Sequence, residues 1–181
     1  MALPPPSREI LGEIRQARLD MSGRITALQR FTTHAAGELR PERVDLSAIA
    51  TEIAARLEEG GERQVTFSIE EGVTATGDEK LLRFAMEQLL ENAWNCTSGV
   101  RHPMIRFGTA QVAGERSFFV SDNGPRHGVY PQAQPEPGYG GGSGLGSGIG
   151  LATVQRIISL HRGRIWAADG AGRGATLYFQ V

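Results

Sequence analysis

Three amide side chains, Gln88, Asn92 and Asn95, recur at i, i+4 and i+7, the spacing that brings residues onto one face of an α-helix. Leu89, Leu90 and Ala93 fall on the other side. A row of amide oxygens is costly to bury without partners. It suits a Mg²⁺ ion that keeps most of its waters and leans on substrate phosphates, and it equally suits a solvated helix face. Downstream, Phe118-Phe119-Val120-Ser121 runs into Asp122-Asn123-Gly124-Pro125. A carboxylate at a strand end can accept from an exocyclic amine, with Gly124 letting a ligand approach; the same four residues also make an ordinary Asx turn. Further on, glycines at 144, 146, 148 and 150 alternate with small or aliphatic residues before the pattern turns helical from Ile149. Amide N–H groups without a Cβ around them can close on phosphate, and the dipole of the following helix favours the negative charge.

Composition narrows the classes. The chain has 181 residues, 40% of them apolar, and a net charge of −1. That gives material for a core but no electrostatic case for nucleic acid or an anionic membrane. The lone Cys96 excludes an intramolecular disulfide and a cysteine metal site, and it fits a reducing cytosol. No apolar run reaches the roughly 20 residues that span a bilayer, and Met1-Ala2-Leu3-Pro4-Pro5-Pro6 lacks the pattern of a secretory leader. A cytoplasmic location is expected, and membrane attachment of a parent protein would have to come from other sequence. There is no Gly-x-x-x-x-Gly-Lys-Ser/Thr, so no P-loop. Gly170, Gly172 and Ala175 match Gly-x-Gly-x-x-Ala, but no helix follows them, as a dinucleotide fold requires.

The elements that must position these groups are partly legible. After Pro4-Pro5-Pro6-Ser7, apolar residues at Ile10, Ile14, Ala17, Met21, Leu28, Phe31 and Ala35 mark a long helix with a coiled-coil-like seam. Such a helix is unstable alone, so it must pack on a helix of this chain, of a second copy or of other sequence, or else dock as an ordinary helix on the domain that follows. A second helix is predicted over Leu46 to Leu57, capped by Asp45 or Ser47. Asp78 should cap a third running from Glu79 to about Thr97, and a fourth covers Ile149 to Leu160. Strands are predicted over 64–69, 104–109, 117–121, 164–168 and 175–181. Residues 123–146 read as a long loop of the kind that is either a functional lid or disordered. Mixed elements with hairpin-like strand pairs point to an α+β, two-layer α/β sandwich: a mixed, mainly antiparallel sheet covered by helices on one face, with a long N-terminal helix.

Taken in order, the three segments resemble the ATP-binding domain shared by sensor histidine kinases, DNA gyrase, the Hsp90 chaperones and the MutL repair proteins. The histidine-kinase branch matches best. Glu87 to Thr97 looks like its Asn-rich box, Asp122-Asn123-Gly124 like its first glycine box, and Gly146-Ser147-Gly148-Ile149-Gly150-Leu151 like its second. Gly163-Arg164-Ile165 with Gly174-Ala175-Thr176 is similar to the last two strands. Residues 20–46 resemble the second helix of a dimerisation hairpin with its linker. The resemblance implies a partial dimerisation unit over 1–43 and an ATP-binding catalytic domain over 44–181, with 123–146 as the ATP lid.

Residue by residue, the resemblance makes Asn92 the Mg²⁺ ligand and puts Gln88 where ATPase branches carry a water-activating Glu. A Gln cannot act as a base there, which agrees with phosphoryl transfer to a side chain rather than hydrolysis. Asp122 would receive the adenine amino group, supported by Thr176 and with Gly124 beside it. Gly146, Gly148, Gly150 and Leu151 would form the phosphate loop. The family's Lys-aromatic pair is Asn95-Cys96 here, and its second glycine is Arg126, a phosphate-seeking cation. No Phe-rich box occurs between 125 and 146. The four histidines precede Ala35, Pro103, Gly128 and Arg162, so none has the acidic follower of a phospho-accepting His. The reading is therefore a histidine-kinase catalytic domain using ATP and Mg²⁺, with the acceptor His on other sequence, a response regulator downstream and a homodimer through 8–36. The departures leave open a degenerate member that signals or dimerises without turnover.

Overall fold

The computed structural model describes residues 39–60, 63–125, 149–168 and 174–181. The helix predicted over 8–36 lies outside them, as do Arg126, Gly146, Gly148, His34, His127 and most of the 123–146 loop. In chain order the elements are β1 (Glu42–Asp45), α1 (Leu46–Glu59), β2 (Thr66–Ile69), β3 (Thr74–Gly77), α2 (Glu79–Cys96), β4 (Met104–Val112), β5 (Glu115–Asp122), α3 (Ile149–Leu160), β6 (Arg164–Ala168) and β7 (Ala175–Gln180). The main sheet has five strands in the order β2-β4-β5-β7-β6. Only the β2–β4 pair is parallel. This is the mixed α/β sandwich that the sequence predicts.

The sheet's two faces follow from strand parity. Ile105 and Phe107 on β4, Phe118 and Val120 on β5, Leu177 and Phe179 on β7 and Ala167 on β6 are all buried. They pack against Leu82, Met86, Leu89 and Leu90 of α2, Ile49 and Ile53 of α1, and Val154, Ile157 and Ile158 of α3. Phe107, Phe179, Leu90 and Ile157 are fully enclosed, each such side chain contributing about 1.5–3 kcal/mol of transfer free energy. The other face carries Arg106, Phe119, Ser121, Thr176, Tyr178 and Trp166. There Tyr178 stacks on Trp166 with centroids 5.7 Å apart. The tight turn between β4 and β5 puts Ala113 and Gly114 at φ of 52° and 83°, the positive pair that a two-residue hairpin of matching twist requires.

Two strands were not predicted. Residues 44–46 read as linker and cap, whereas Glu42–Asp45 forms β1 and pairs antiparallel with β3. Neither strand alternates apolar and polar residues for more than a few positions, so each exists through the other's ladder. Asp45, not Ser47, caps α1: its Oδ1 accepts from Ala48 N at 2.9 Å. Ser47 is instead a buried hub, its hydroxyl donating to Glu70 O at 2.5 Å and accepting from Val73 N at 2.9 Å. Replacing Asp45 by Ala should lower the domain's urea-unfolding free energy by about 1 kcal/mol, the usual cost of losing such a cap. An unchanged midpoint would show that α1 is held by packing alone.

Candidate functional site

Asp78 opens α2 with its Oδ1 accepting from Lys80 N at 3.1 Å and Leu81 N at 3.2 Å. Leu81, Leu82, Ala85, Met86, Leu89, Leu90 and Ala93 then face the core. This sets the rotation of the helix, so Gln88 and Asn92 come to half-buried positions and Asn95 to an exposed one. The amide row is therefore not a core feature. Gln88 lies against the first turn of α3, where a Cβ on Gly150 would meet its Oε1 at 2.6 Å. A glycine at 150 thus lets the N-terminus of α3, where a helix's first backbone N–H groups have no intrahelical acceptor, come up to the amide face of α2. Leu151 is buried in the core, so only its backbone is free to serve a ligand.

At the far end of α2 stands Asp122. β5 pairs with β4 and β7 so that Asp122 lies opposite Ile105 and Ala175, on the helix-covered face. Its Oδ1 accepts from Gly124 N at 2.8 Å, the Asx turn, and the carboxylate also accepts from Ala175 N–H. Burial pushes the carboxyl above the ordinary aspartate range, and these two backbone donors pull back only part of the way. The turn and acceptor readings of Asp122 are thus compatible: the carboxylate organises its own loop and keeps acceptor capacity for one more donor.

Glycines frame this carboxylate. Gly124 is buried, and a Cβ there would run into the carbonyl of Cys96 at the end of α2 and stand 2.9 Å from Asp122 Oδ1. Gly174 adopts φ +111°, and a Cβ there would run into Asp122 O and stand 3.0 Å from Asn123 Cα. The loop after β5 is therefore clamped between α2 and the start of β7. Asn123 N donates to Met104 O at 3.3 Å, extending the β4–β5 ladder past Asp122.

Thr176 is not beside Asp122. Its register partner is Ser121, and its hydroxyl donates to Ser121 Oγ at 3.0 Å on the opposite face of the sheet. The residue at Asp122's side is Ala175, through its backbone. The parity of the final strand decides this, and parity cannot be read where a short strand follows a glycine-rich turn.

His161 has a structural part, between the end of α3 and the start of α2. Nδ1 faces Ile157 O at 2.8 Å and must donate, so Nε2 is the unprotonated nitrogen that accepts from Asp78 N at 3.0 Å. The neutral ring ties the end of α3 to the cap of α2, and Gly77 has no room for a Cβ because the ring and Leu82 fill it. The two helices that flank the candidate site are thus fixed to one another at the ends remote from it.

Along α2, Gln88 with Gly150 and Cys96 with Gly124 are eight residues apart, or roughly 12 Å on the helix axis. One end offers a desolvated carboxylate for an amine, the other a helix N-terminus for an anion, with Asn92 between. Among the described residues no three His, Cys, Asp or Glu side chains converge as a metal site, and none of the helices is long and apolar enough to cross a membrane.

Residues 77–181 match the family described as Histidine kinase-, DNA gyrase B-, and HSP90-like ATPase. The methanogenesis regulatory histidine kinase FilI of Methanothrix harundinacea is 34% identical over 125 residues, which is 66% of this chain and 14% of that protein. Cyanobacterial phytochrome A of Nostoc is 34% identical over 85 residues, 44% of this chain and 11% of that protein. The chain therefore spans a small part of these relatives. Among solved structures, the Acinetobacter baumannii histidine kinase AdeS superposes with a TM-score of 0.61 at 17% identity, covering 100% of this chain and 86% of that one. Full-length ShkA in complex with AMPPNP gives 0.56 at 20%, covering 99% and 39%. The catalytic domain of histidine kinase ThkA gives 0.56 at 18%, covering 77% and 93%. At such identities the likeness is one of fold, and the fold is that of histidine-kinase catalytic domains. With the match running over more than half its length, the chain belongs to the family of histidine kinase-, DNA gyrase B-, and HSP90-like ATPases.

Proposed function

We propose that this chain is the ATP-binding catalytic domain of a sensor histidine kinase, which transfers the γ-phosphoryl group of ATP to a histidine on a separate acceptor helix. The observation that carries it is the pairing, along one helix, of a desolvated carboxylate at Asp122 with the N-terminus of α3 against Gln88. ShkA, solved with AMPPNP, supports the choice of nucleotide. In this reading Asp122 accepts the adenine 6-amino group, and Gly150 with the glycines before it closes on the phosphates. Asn92 would hold a Mg²⁺ ion together with waters and phosphate oxygens, an arrangement that suits a site built of amides rather than carboxylates. The ion's part is to offset phosphate charge. Gln88 has no basic oxygen to take a proton from water. This favours a side-chain acceptor: the γ-phosphorus bond to the bridging oxygen breaks toward ADP while a bond to an imidazole nitrogen forms. Catalysis is then positioning and charge neutralisation. In the same reading Arg126, from the first glycine box, and Gly146 and Gly148, from the second, would meet the phosphates, and the partners would be a second copy through 8–36 and a downstream response regulator.

A second reading is favoured by Asn95, an exposed amide where the family carries a cation: a member that binds ATP without transferring phosphate. The test is titration with a fluorescent ATP analogue, with and without Mg²⁺, followed by incubation with an acceptor-helix domain and radiolabelled ATP. Mg-dependent binding with label on the acceptor histidine is the expected result. Binding without label, where an active kinase labels the same acceptor, selects the second reading. Absence of binding by a folded domain overturns both.

A further inference from the structure

We propose that Asn123 is a positioning residue for adenine recognition, acting through Asp122 by bridging a proline gap in the adjoining strand. The proposal rests on the reading of Asp122 as the adenine acceptor. The carboxamide of Asn123 makes two hydrogen bonds to backbone on either side of Pro103: Met104 N donates to its Oδ1 at 2.8 Å, and its Nδ2 donates to His102 O at 2.8 Å. Proline has no N–H, and the carbonyl of Pro103 is turned the other way, accepting from Thr66 N at 2.9 Å. The strand side facing β5 therefore presents one acceptor and one donor separated by a residue that offers neither. A primary amide carries one of each and fills the gap as a strand backbone would.

This fixes more than a loop. Asn123 is bonded to the Asp122 carbonyl carbon, and its own N–H continues the ladder to Met104 O at 3.3 Å. Three contacts thus hold the residue immediately after the carboxylate to the start of β4. Asp122 is the last residue of β5, and among the described residues Gly124 N and Ala175 N grip its carboxyl. Without the bridge the strand end past the Ile105–Asp122 pair is held to β4 only by the long Asn123 N–Met104 O bond, and the carboxylate would sample orientations that miss the adenine amine. The residue type is specific. Aspartate keeps an acceptor for Met104 N but sets a carboxylate oxygen against His102 O, acceptor against acceptor.

The test is selectivity, because general loss of stability does not distinguish one purine from another. Affinities for ATP and for ITP, in which a carbonyl replaces the 6-amino group, are measured by calorimetry for the parent, Asn123→Asp, Asp122→Asn and the double variant. The parent should prefer ATP. Asn123→Asp should cut the ATP-to-ITP ratio about three- to tenfold, the scale of one or two hydrogen bonds, and add no further loss in the Asp122→Asn background. Asn123→Ala, which brings no new charge, should show the same direction and carries the test if the Asp variant does not fold. An unchanged ratio in a folded variant, or losses that multiply in the double variant, overturns the inference and leaves the adenine site standing. A parent with no preference for ATP over ITP overturns the adenine reading of Asp122, and this inference with it.

Discussion

Replacing Asp122 by Asn should weaken ATP binding about a hundredfold while leaving the unliganded domain at least as stable as the parent. The carboxylate has two oxygens and already serves Gly124 N–H and Ala175 N–H. It still has a lone pair for the adenine amine. An amide has one oxygen. Once that is used on the two backbone donors, only its NH₂ is left for the ligand, donor against donor. Losing a charge-assisted hydrogen bond and leaving a buried donor unpaired costs about 3 kcal/mol together, which is the hundredfold quoted.

The stability half of the prediction follows from the raised pKa. Because burial lifts Asp122's folded-state pKa above its unfolded value, its contribution favours the folded state below the unfolded pKa of about 3.9. That contribution is lost as pH rises through the higher folded value. At neutral pH the ionised, half-desolvated carboxylate is a cost to the empty domain that the neutral amide avoids. The melting-temperature difference, variant minus parent, should therefore grow as pH rises from about 4 to 7.5. Calorimetric binding with thermal melts over that range checks both halves. A variant that binds ATP like the parent, or melts well below it at pH 7.5, would refute the assignment of Asp122 as a carboxylate held for function.

Gly124→Ala should cost the unliganded domain about 2–3 kcal/mol, as over-packing at a close contact does, and reduce ATP affinity by about tenfold or more. The added methyl has no route out. On one side is the Cys96 carbonyl at the end of α2, on the other Asp122 Oδ1 at 2.9 Å. Both neighbours are fixed, one as helix backbone and the other as a carboxylate held by the loop it caps, so the loop must move and take Asp122 with it. The sequence explains Gly124 by an Asx turn or by ligand approach, and under ligand approach alone the empty domain would not care about the methyl. Urea unfolding without nucleotide separates the two: an unchanged midpoint favours ligand approach, a lowered one favours packing against α2.

Much of the architecture was legible because local pattern and tertiary role agree. In α2, Leu81, Leu82, Leu89 and Leu90 recur with helical spacing, so the helix, its Asp78 cap and the rotation that turns Gln88 and Asn92 out of the core all follow from sequence. In β4 and β5 the alternation around Ile105, Phe107, Phe118 and Val120 fixes both strands and the buried face. By contrast β1 and β3 are four residues each with little alternation. Their ladder joins residue 42 to residue 77, a pairing no local window contains.

The site divides along the same line. The order and spacing of the amide row, the Asp122 turn and the glycine run are properties of the chain, and they carry the likeness to the family that residues 77–181 match. Register and packing decided the rest. They put Ala175 rather than Thr176 beside Asp122, made Gly124 a contact with α2, and used the neutral ring of His161 to fasten α3 to the cap of α2. They also set the carboxamide of Asn123 across Pro103. The physical reason is range. Residue type and helical period act over a few neighbours, whereas a hydrogen-bond partner 19 residues away, as Met104 is from Asn123, exists only once strands have found their register.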